Sequence, residues 1–223
     1  MPATGAFLDR LQPADRAAVL NAGRPRHYRP GETIFVAGEP GRFVVLITEG
    51  RAKVTAPSPT GVETVLSLRG PGDLIGELTA VDDEPTPRAA TVVAVDAVVC
   101  RVVRAADFRA ILASHAAVAI ELLRMLAARL RSSDRRLVEF GSYDIARRVA
   151  RLLAQMADDE GQPAAAGLVL PGGLSQDDLA GLVGGSRESV ARALATLRRL
   201  GFVSTGRRRI VVRDLPGLRD YGG

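Results

Sequence analysis

The chain is 223 residues long, with 30 basic and 25 acidic side chains and a formal net charge of +5. Hydrophobic residues make up 47% of it, enough for a sizeable core, so wholesale disorder is excluded and one large or two small domains are expected. No apolar run approaches the roughly 18–20 residues of a membrane helix, Met1-Pro2-Ala3-Thr4-Gly5 opens no secretory signal, and the single Cys100 excludes an internal disulfide, a cysteine zinc site and an iron–sulfur cluster. The expected compartment is therefore the cytoplasm. His27 and His115 leave little material for a metal or catalytic site, and none is expected.

Residues 6–22 carry apolar groups at helical spacing and predict short helices. From Arg24 the texture changes. Glycines at 31, 38, 41, 50, 61, 70, 72 and 76 punctuate short apolar runs at Thr33 to Val36, Phe43 to Ile47 and Val62 to Leu66, and a further run spans Ala90 to Val103. Short β-branched runs bounded by Gly and Pro predict strands, here a small antiparallel barrel or roll with a hairpin turn at Pro57 to Gly61.

A long helix is predicted from about residue 115 to 140, a stretch without Pro or Gly. Ala116, Ala119, Leu123, Leu126, Leu130, Ser133, Leu137 and Phe140 recur in a 3,4 pattern, an a/d seam flanked by charged residues. A narrow seam of this kind usually pairs with another helix, and its own copy is the simplest partner. The alternative is packing on its own domain. Ser133 is polar within the seam, either a tolerated small residue, a register device or a contact to something polar. Gly141-Ser142 is expected to break the helix as a hinge. Asp144 then caps a helix to about Asp159, and residues 160–173 read as a Gly/Pro-rich loop with one strand-like run. Asp158-Asp159-Glu160 is placed in that loop, where it could touch RNA polymerase, although a solvated acidic loop is the ordinary reading.

The C-terminal part is more specific. Ser175-Gln176-Asp177-Asp178 fits a capping box opening a short helix with Leu179, Leu182 and Val183 on its face. Gly184-Gly185 makes the turn, and Ser186 caps a second helix from Arg187 to Leu200, with Val190, Leu194 and Leu197 inward. Phe202 to Val212 reads as two strands around a Gly turn. Helix, tight turn, helix, β-hairpin is a winged helix-turn-helix. All but one of the basic residues are arginine, the exception being Lys53, which a GC-rich genome explains without any appeal to function. The location of the charge is more telling. From Ser186 to Arg213 there are eight arginines and one carboxylate, a local charge of +7, the footprint of a polyanion-binding surface. Arg187 can bond guanine O6 and N7 together and Glu188 can accept from cytosine N4. Arg192 reaches a neighbouring base or phosphate, Ser189 a phosphate, and Arg207, Arg208 and Arg209 on the wing would grip the backbone. A lone arginine is ordinarily a solvated surface residue; here the motif around it favours double-stranded DNA as partner.

The string Gly185-Ser186-Arg187-Glu188-Ser189-Val190-Ala191-Arg192, with the wing Ile210-Val211-Val212, resembles the recognition helix and wing of the cyclic-AMP receptor (catabolite activator, CRP/FNR) family of bacterial regulators. Upstream, Gly72-Asp73-Leu74-Ile75-Gly76-Glu77-Leu78 and Thr86-Pro87-Arg88-Ala89-Ala90-Thr91-Val92 resemble the phosphate-binding cassette of cyclic-nucleotide-binding domains, the second string being especially similar to that of cyclic-nucleotide-dependent kinases. The likeness covers about residues 8 to 215. It implies an α+β fold: a cyclic-nucleotide-binding β-roll over 1–114, a dimerisation helix over 115–140, and a winged helix-turn-helix DNA-binding domain over 141–223. It further implies Arg88 on the cyclic phosphate, Glu77 on the ribose 2′-hydroxyl, Gly76, Leu78 and Ala89 completing the cassette, and Ser133 at the adenine amino group. Its DNA target is a two-fold palindrome with half-sites resembling TGTGA. The implied protein is a homodimeric regulator with cyclic AMP as ligand and no other cofactor, whose response is lost on replacing Arg88 while the fold persists.

Three departures stand out. Glu77 and Arg88 are eleven residues apart, one or two more than usual, because of the acidic stretch Asp82-Asp83-Glu84-Pro85. Ala89 replaces the Ser or Thr of many bacterial members, which by resemblance to the kinases favours adenine over guanine. Asp134 replaces a neutral polar residue. The competing readings are a relative that needs no ligand or senses cyclic-di-GMP, a haem sensor liganded by Cys100 or a His, and a nucleotide-regulated enzyme. The last lacks a Walker loop, a metal-ligand cluster and a plausible Ser/His/Asp set.

Overall fold

The structure, a computed structural model, describes residues 6–57, 63–82, 86–172, 174–206 and 209–223. The expected turn at Pro57 to Gly61, most of the Asp82–Pro85 stretch, and Arg207 and Arg208 fall wholly or largely outside them. The chain divides into two compact units, one ending at Ser132 and the other beginning at Ser133.

In the first unit, a single 3-10 turn (Phe7–Arg10) and helix α1 (Pro13–Asn21) precede eight strands: β1 (Arg24–Tyr28), β2 (Thr33–Phe35), β3 (Phe43–Glu49), β4 (Ala52–Pro57), β5 (Glu63–Arg69), β6 (Leu74–Ile75), β7 (Thr91–Ala94) and β8 (Val98–Arg104). They form two antiparallel four-stranded sheets, ordered β1-β8-β3-β6 and β2-β7-β4-β5. The expected 90–103 run is thus two strands of different sheets. β3 is central, and its Val44, Val45, Leu46 and Ile47 are all buried. Residues of alternate parity on a strand face opposite ways. Val44 and Leu46 accordingly join one core with Phe7, Leu74 and Phe108, while Val45 and Ile47 join the other with Phe35, Val92 and Cys100. Burial in the second core pushes the Cys100 thiol pKa up to about 11, so it stays protonated.

Helices α2 (Ala105–Ser114) and α3 (Ala116–Ser142) follow. Val118, Leu122 and Met125 of α3 are buried with the first core. Of the predicted seam, Leu126 packs against that core, while Leu123, Leu130 and Leu137 are 65%, 65% and 69% exposed, with Ile120 and Val138 also exposed. Here the structure corrects the sequence. Helix α3 runs through Gly141 and Ser142, so the break falls at Tyr143 and not at the glycine. A glycine costs a helix only about 1 kcal/mol, which its neighbours offset.

The second unit contains α4 (Ile145–Glu160), β9 (Gln162–Ala164), β10 (Gly167–Val169), α5 (Gln176–Val183), α6 (Arg187–Arg199), β11 (Val203–Gly206), β12 (Arg209–Val212) and α7 (Leu215–Gly222). Asp144 caps α4, accepting from the Arg147 N–H at 2.8 Å. Asp158, Asp159 and Glu160 form the last turn of α4 and not a loop, and Asp158 pairs with Arg219 of α7. The wing strands join a sheet ordered β11-β12-β10-β9. Val149, Leu153, Leu179, Val190, Leu194, Leu197 and Leu218 form the core beneath it.

Candidate functional site

Two places gather the residues singled out above. The first surrounds the turn after β6. Gly76 has φ +82°, and a Cβ there would stand 2.5 Å from Arg88 Nη1, so only glycine gives both the turn and the approach. The turn opens the 3-10 segment Glu77–Thr79. Arg88 comes from the segment before β7 and is 4% exposed. Its Nη1 donates to Gly76 O at 3.0 Å and Thr79 Oγ1 at 2.8 Å, and its Nη2 donates to Phe43 O at 2.5 Å. The guanidinium carbon lies 4.2 Å from the ring centre of Phe35 and 4.8 Å from that of Phe43, cation–π contacts in a desolvated place. Burial lowers its pKa from the usual arginine value, with Glu77 and then Glu39 opposing that; an arginine starts so high that it remains charged.

The backbone of Arg88 is fixed as firmly. Its N–H donates to Glu39 O at 2.8 Å, Gly38 N donates to its carbonyl at 2.9 Å, and Gly41 N donates to Thr86 O at 3.0 Å. Glu77, also 4% exposed, is held by Arg129 of α3, whose Nη1 donates to Oε1 at 2.5 Å and whose Nη2 donates to Leu74 O at 2.7 Å. The structure therefore brings Gly76, Glu77 and Arg88 together. Leu78 and Ala89 beside them are exposed. Ser133 lies on α3 beyond the unit boundary, exposed. A buried cation beside a buried carboxylate can hold an anion that also carries a hydroxyl donor. Four participants were not singled out in the sequence: Phe35, Phe43, Thr79 and Arg129.

The second place is the pair α5 and α6. Both predicted helix starts carry reciprocal caps. Asp178 N donates to Ser175 Oγ at 3.0 Å while Ser175 N donates to Asp178 Oδ2 at 2.8 Å. Ser189 N donates to Ser186 Oγ at 3.2 Å while Ser186 N donates to Ser189 Oγ at 2.9 Å. The Ser189 hydroxyl proton goes to Ser186 O at 2.7 Å, so this side chain serves the cap first. Gly184, at φ +62°, ends α5, with Phe140 of α3 packed where its Cβ would be. Arg148 stacks over Phe140 and donates to Val183 O at 2.7 Å, satisfying a carbonyl at the end of α5.

Arg187, Glu188 and Arg192 are exposed on the first turns of α6, with Arg187 3.9 Å from Asp177. The Glu188 carboxyl titrates below the usual range, held first by its own backbone N–H, then by Ser186. Arg198 donates to Thr205 Oγ1 at 3.0 Å, tying the wing to α6. Arg209 is exposed at the start of β12.

A β-roll built round a buried arginine–carboxylate pair, followed by a long helix and a basic winged helix-turn-helix, defines the class of two-domain transcription regulators that couple a small-ligand module to a DNA reader. Comparisons with known proteins make this specific. Residues 25–115 match the cyclic nucleotide-binding domain family, and residues 147–221 match the Crp-like helix-turn-helix domain. The chain is similar to the CRP-like cAMP-activated global transcriptional regulator of Mycobacterium tuberculosis, 31% identical over 92% of this chain and 90% of the relative. It is 30% identical to the cyclic AMP receptor protein of Thermus thermophilus over the same shares. Among solved structures, a CRP-family transcriptional regulator from Thermus thermophilus covers 89% of this chain and 96% of its own, at 27% identity and TM-score 0.76. The c-di-GMP-responsive global regulator of Xanthomonas campestris covers 90% and 99%, at 19% identity and TM-score 0.79, and shares the fold. The chain belongs to the CRP family of transcription regulators, which are not enzymes.

Proposed function

We propose that the chain is a cyclic-AMP-responsive, sequence-specific regulator acting as a homodimer on palindromic DNA. The observation that carries this is two buried opposite charges at one turn: Arg88 bonds the Gly76 carbonyl, and Glu77 follows Gly76 in the chain. In this reading the cyclic phosphate takes the remaining N–H groups of Arg88, with the Gly76, Glu77 and Leu78 backbone and Ala89 completing the cassette. The ribose hydroxyl donates to Glu77, which the hydrogen bond from Arg129 orients. Ser133 of α3 meets the adenine amino group. The two relatives with cyclic AMP in their names support this choice of nucleotide.

The exposed Leu123, Leu130 and Leu137 seam supports a second copy of the chain on α3. Ligand contacts then shift the population of helix-pair arrangements, placing two α6 helices about one DNA turn apart. Arg187, Glu188 and Arg192 read bases, with Ser186, Ser189, Arg207 and Arg208 near phosphates. The exposed acidic end of α4 offers a contact to RNA polymerase.

Calorimetric titration of the full chain with cyclic AMP, cyclic GMP and cyclic-di-GMP tests the ligand. Cyclic AMP should bind tightest; preferential binding of cyclic-di-GMP, or of none of the three, would overturn it. For the reader, Arg187→Ala should cost about 1–3 kcal/mol of discrimination at one base pair of each half-site. A gel shift on singly substituted palindromes measures this, and unchanged sequence preference would remove Arg187 from the base contacts.

A further inference from the structure

The guanidinium of Arg88 has five N–H bonds. Three go to protein oxygens, and they are unevenly spread: both on Nη1 and one on Nη2. The Nε–H and the second Nη2–H have no hydrogen-bond partner among the described residues. Which bonds are left is therefore decided by what holds Nη1. Two of the three oxygens are main-chain carbonyls, supplied by any sequence that makes this turn. The third is a side chain, the hydroxyl of Thr79.

That hydroxyl is itself oriented. It donates to Gly76 O at 3.3 Å, which turns a lone pair toward Nη1 at 2.8 Å. Thr79 is 5% exposed and has little room to turn. Its side chain lies against Gly41, where a Cβ would stand 1.8 Å from Oγ1 and 2.2 Å from Thr79 Cβ. The same Gly41 ties the segment leading into Arg88 by its bond to Thr86 O. A bare glycine, a threonine and an arginine thus form one packed unit, joining the segment before β3 to the cassette.

We infer that Thr79 is a positioning residue of the ligand site: its hydroxyl fixes the Arg88 guanidinium so that the Nε edge is presented to the ligand's phosphate. The inference rests on the proposal that Arg88 takes the cyclic phosphate, and it concerns a residue that does not itself touch the ligand. Thr79→Val keeps the shape and removes the hydroxyl. Thr79→Ser keeps the hydroxyl and removes a methyl.

The test is calorimetric titration of the full chain with cyclic AMP, with ligand-free thermal melting alongside, for wild type, Thr79→Val, Thr79→Ser, Arg88→Lys and the Thr79→Val/Arg88→Lys double variant. Thr79→Val should weaken binding about tenfold, the scale of one hydrogen bond to a charged group. Thr79→Ser should stay within about twofold of wild type. In the Arg88→Lys background, Thr79→Val should add little, because the group it positions is gone. Wild-type affinity in Thr79→Val would overturn the inference and leave the ligand assignment standing. So would a Thr79→Val loss that persists undiminished in the double variant, since it would then act through the fold. Failure of the wild-type chain to bind cyclic AMP would overturn the ligand assignment, and the inference with it.

Discussion

Arg88→Ala should raise the dissociation constant for cyclic AMP by at least about 100-fold, the equivalent of roughly 3 kcal/mol for charge-assisted bonds to an anion. The structure adds a second result that the sequence did not suggest. Arg88 holds two carbonyls and a hydroxyl in a buried place, between two rings. Its removal leaves Gly76 O, Phe43 O and Thr79 Oγ1 without that donor. The roll should therefore lose about 2–4 kcal/mol of stability, tempered by water entering the space. Arg88→Lys separates the two effects. It keeps a cation but not the fork, so it should recover part of the stability and little of the affinity. Denaturant melts and calorimetry on all three proteins would show this. Near-wild-type affinity in Arg88→Ala would sink the phosphate role.

Replacing Leu130 and Leu137 together by Glu should turn the dimer proposed above into a monomer. The two leucines are 65% and 69% exposed on α3, although the same helix buries Val118, Leu122 and Met125 against the roll. Covering a leucine is worth about 1.5–3 kcal/mol, and a two-fold pairing covers each twice. Losing four such contacts and placing like charges opposite one another weakens association by at least about a thousandfold. Sedimentation equilibrium reads the mass directly, and DNA affinity should fall with it as both half-sites can no longer be engaged at once. A double variant with the same mass as wild type would remove α3 from the interface.

The elements legible in the sequence were those with local causes. Both helices of the reader announce themselves through their caps, the four-residue box Ser175–Asp178 and the cap Ser186, and the structure forms both, with Ser189 completing the second. Strand β3 is legible because its run is apolar throughout. Strand β1 was not: Arg24, Pro25, Arg26 and His27 are all exposed at a sheet edge, so no alternation marks them. Strand β6 has two residues, too few for any period. In the site, Gly76, Glu77 and Arg88 were legible from their motif. Arg129 was not, because its partner Glu77 is 52 positions away and only the fold brings them together. Phe35 and Phe43 read as ordinary strand residues until Arg88 is seen between them. The glycine at 141 misled because its local cost is smaller than what the surrounding helix contributes.

The turn between α5 and α6 has no side chains of its own. Gly184 is packed by Phe140, and Gly185 by Ile145, whose Cδ1 would lie 2.8 Å from an added Cβ. Glu139 likewise pairs with Arg151 of α4 at 3.1 Å. The reading module thus borrows part of its floor from the end of the long helix. A fragment cut at Gly141, where the sequence invites the cut, would strip Phe140 from beneath Gly184; one begun at Ser133 keeps Glu139 and Phe140 and is the piece to express on its own.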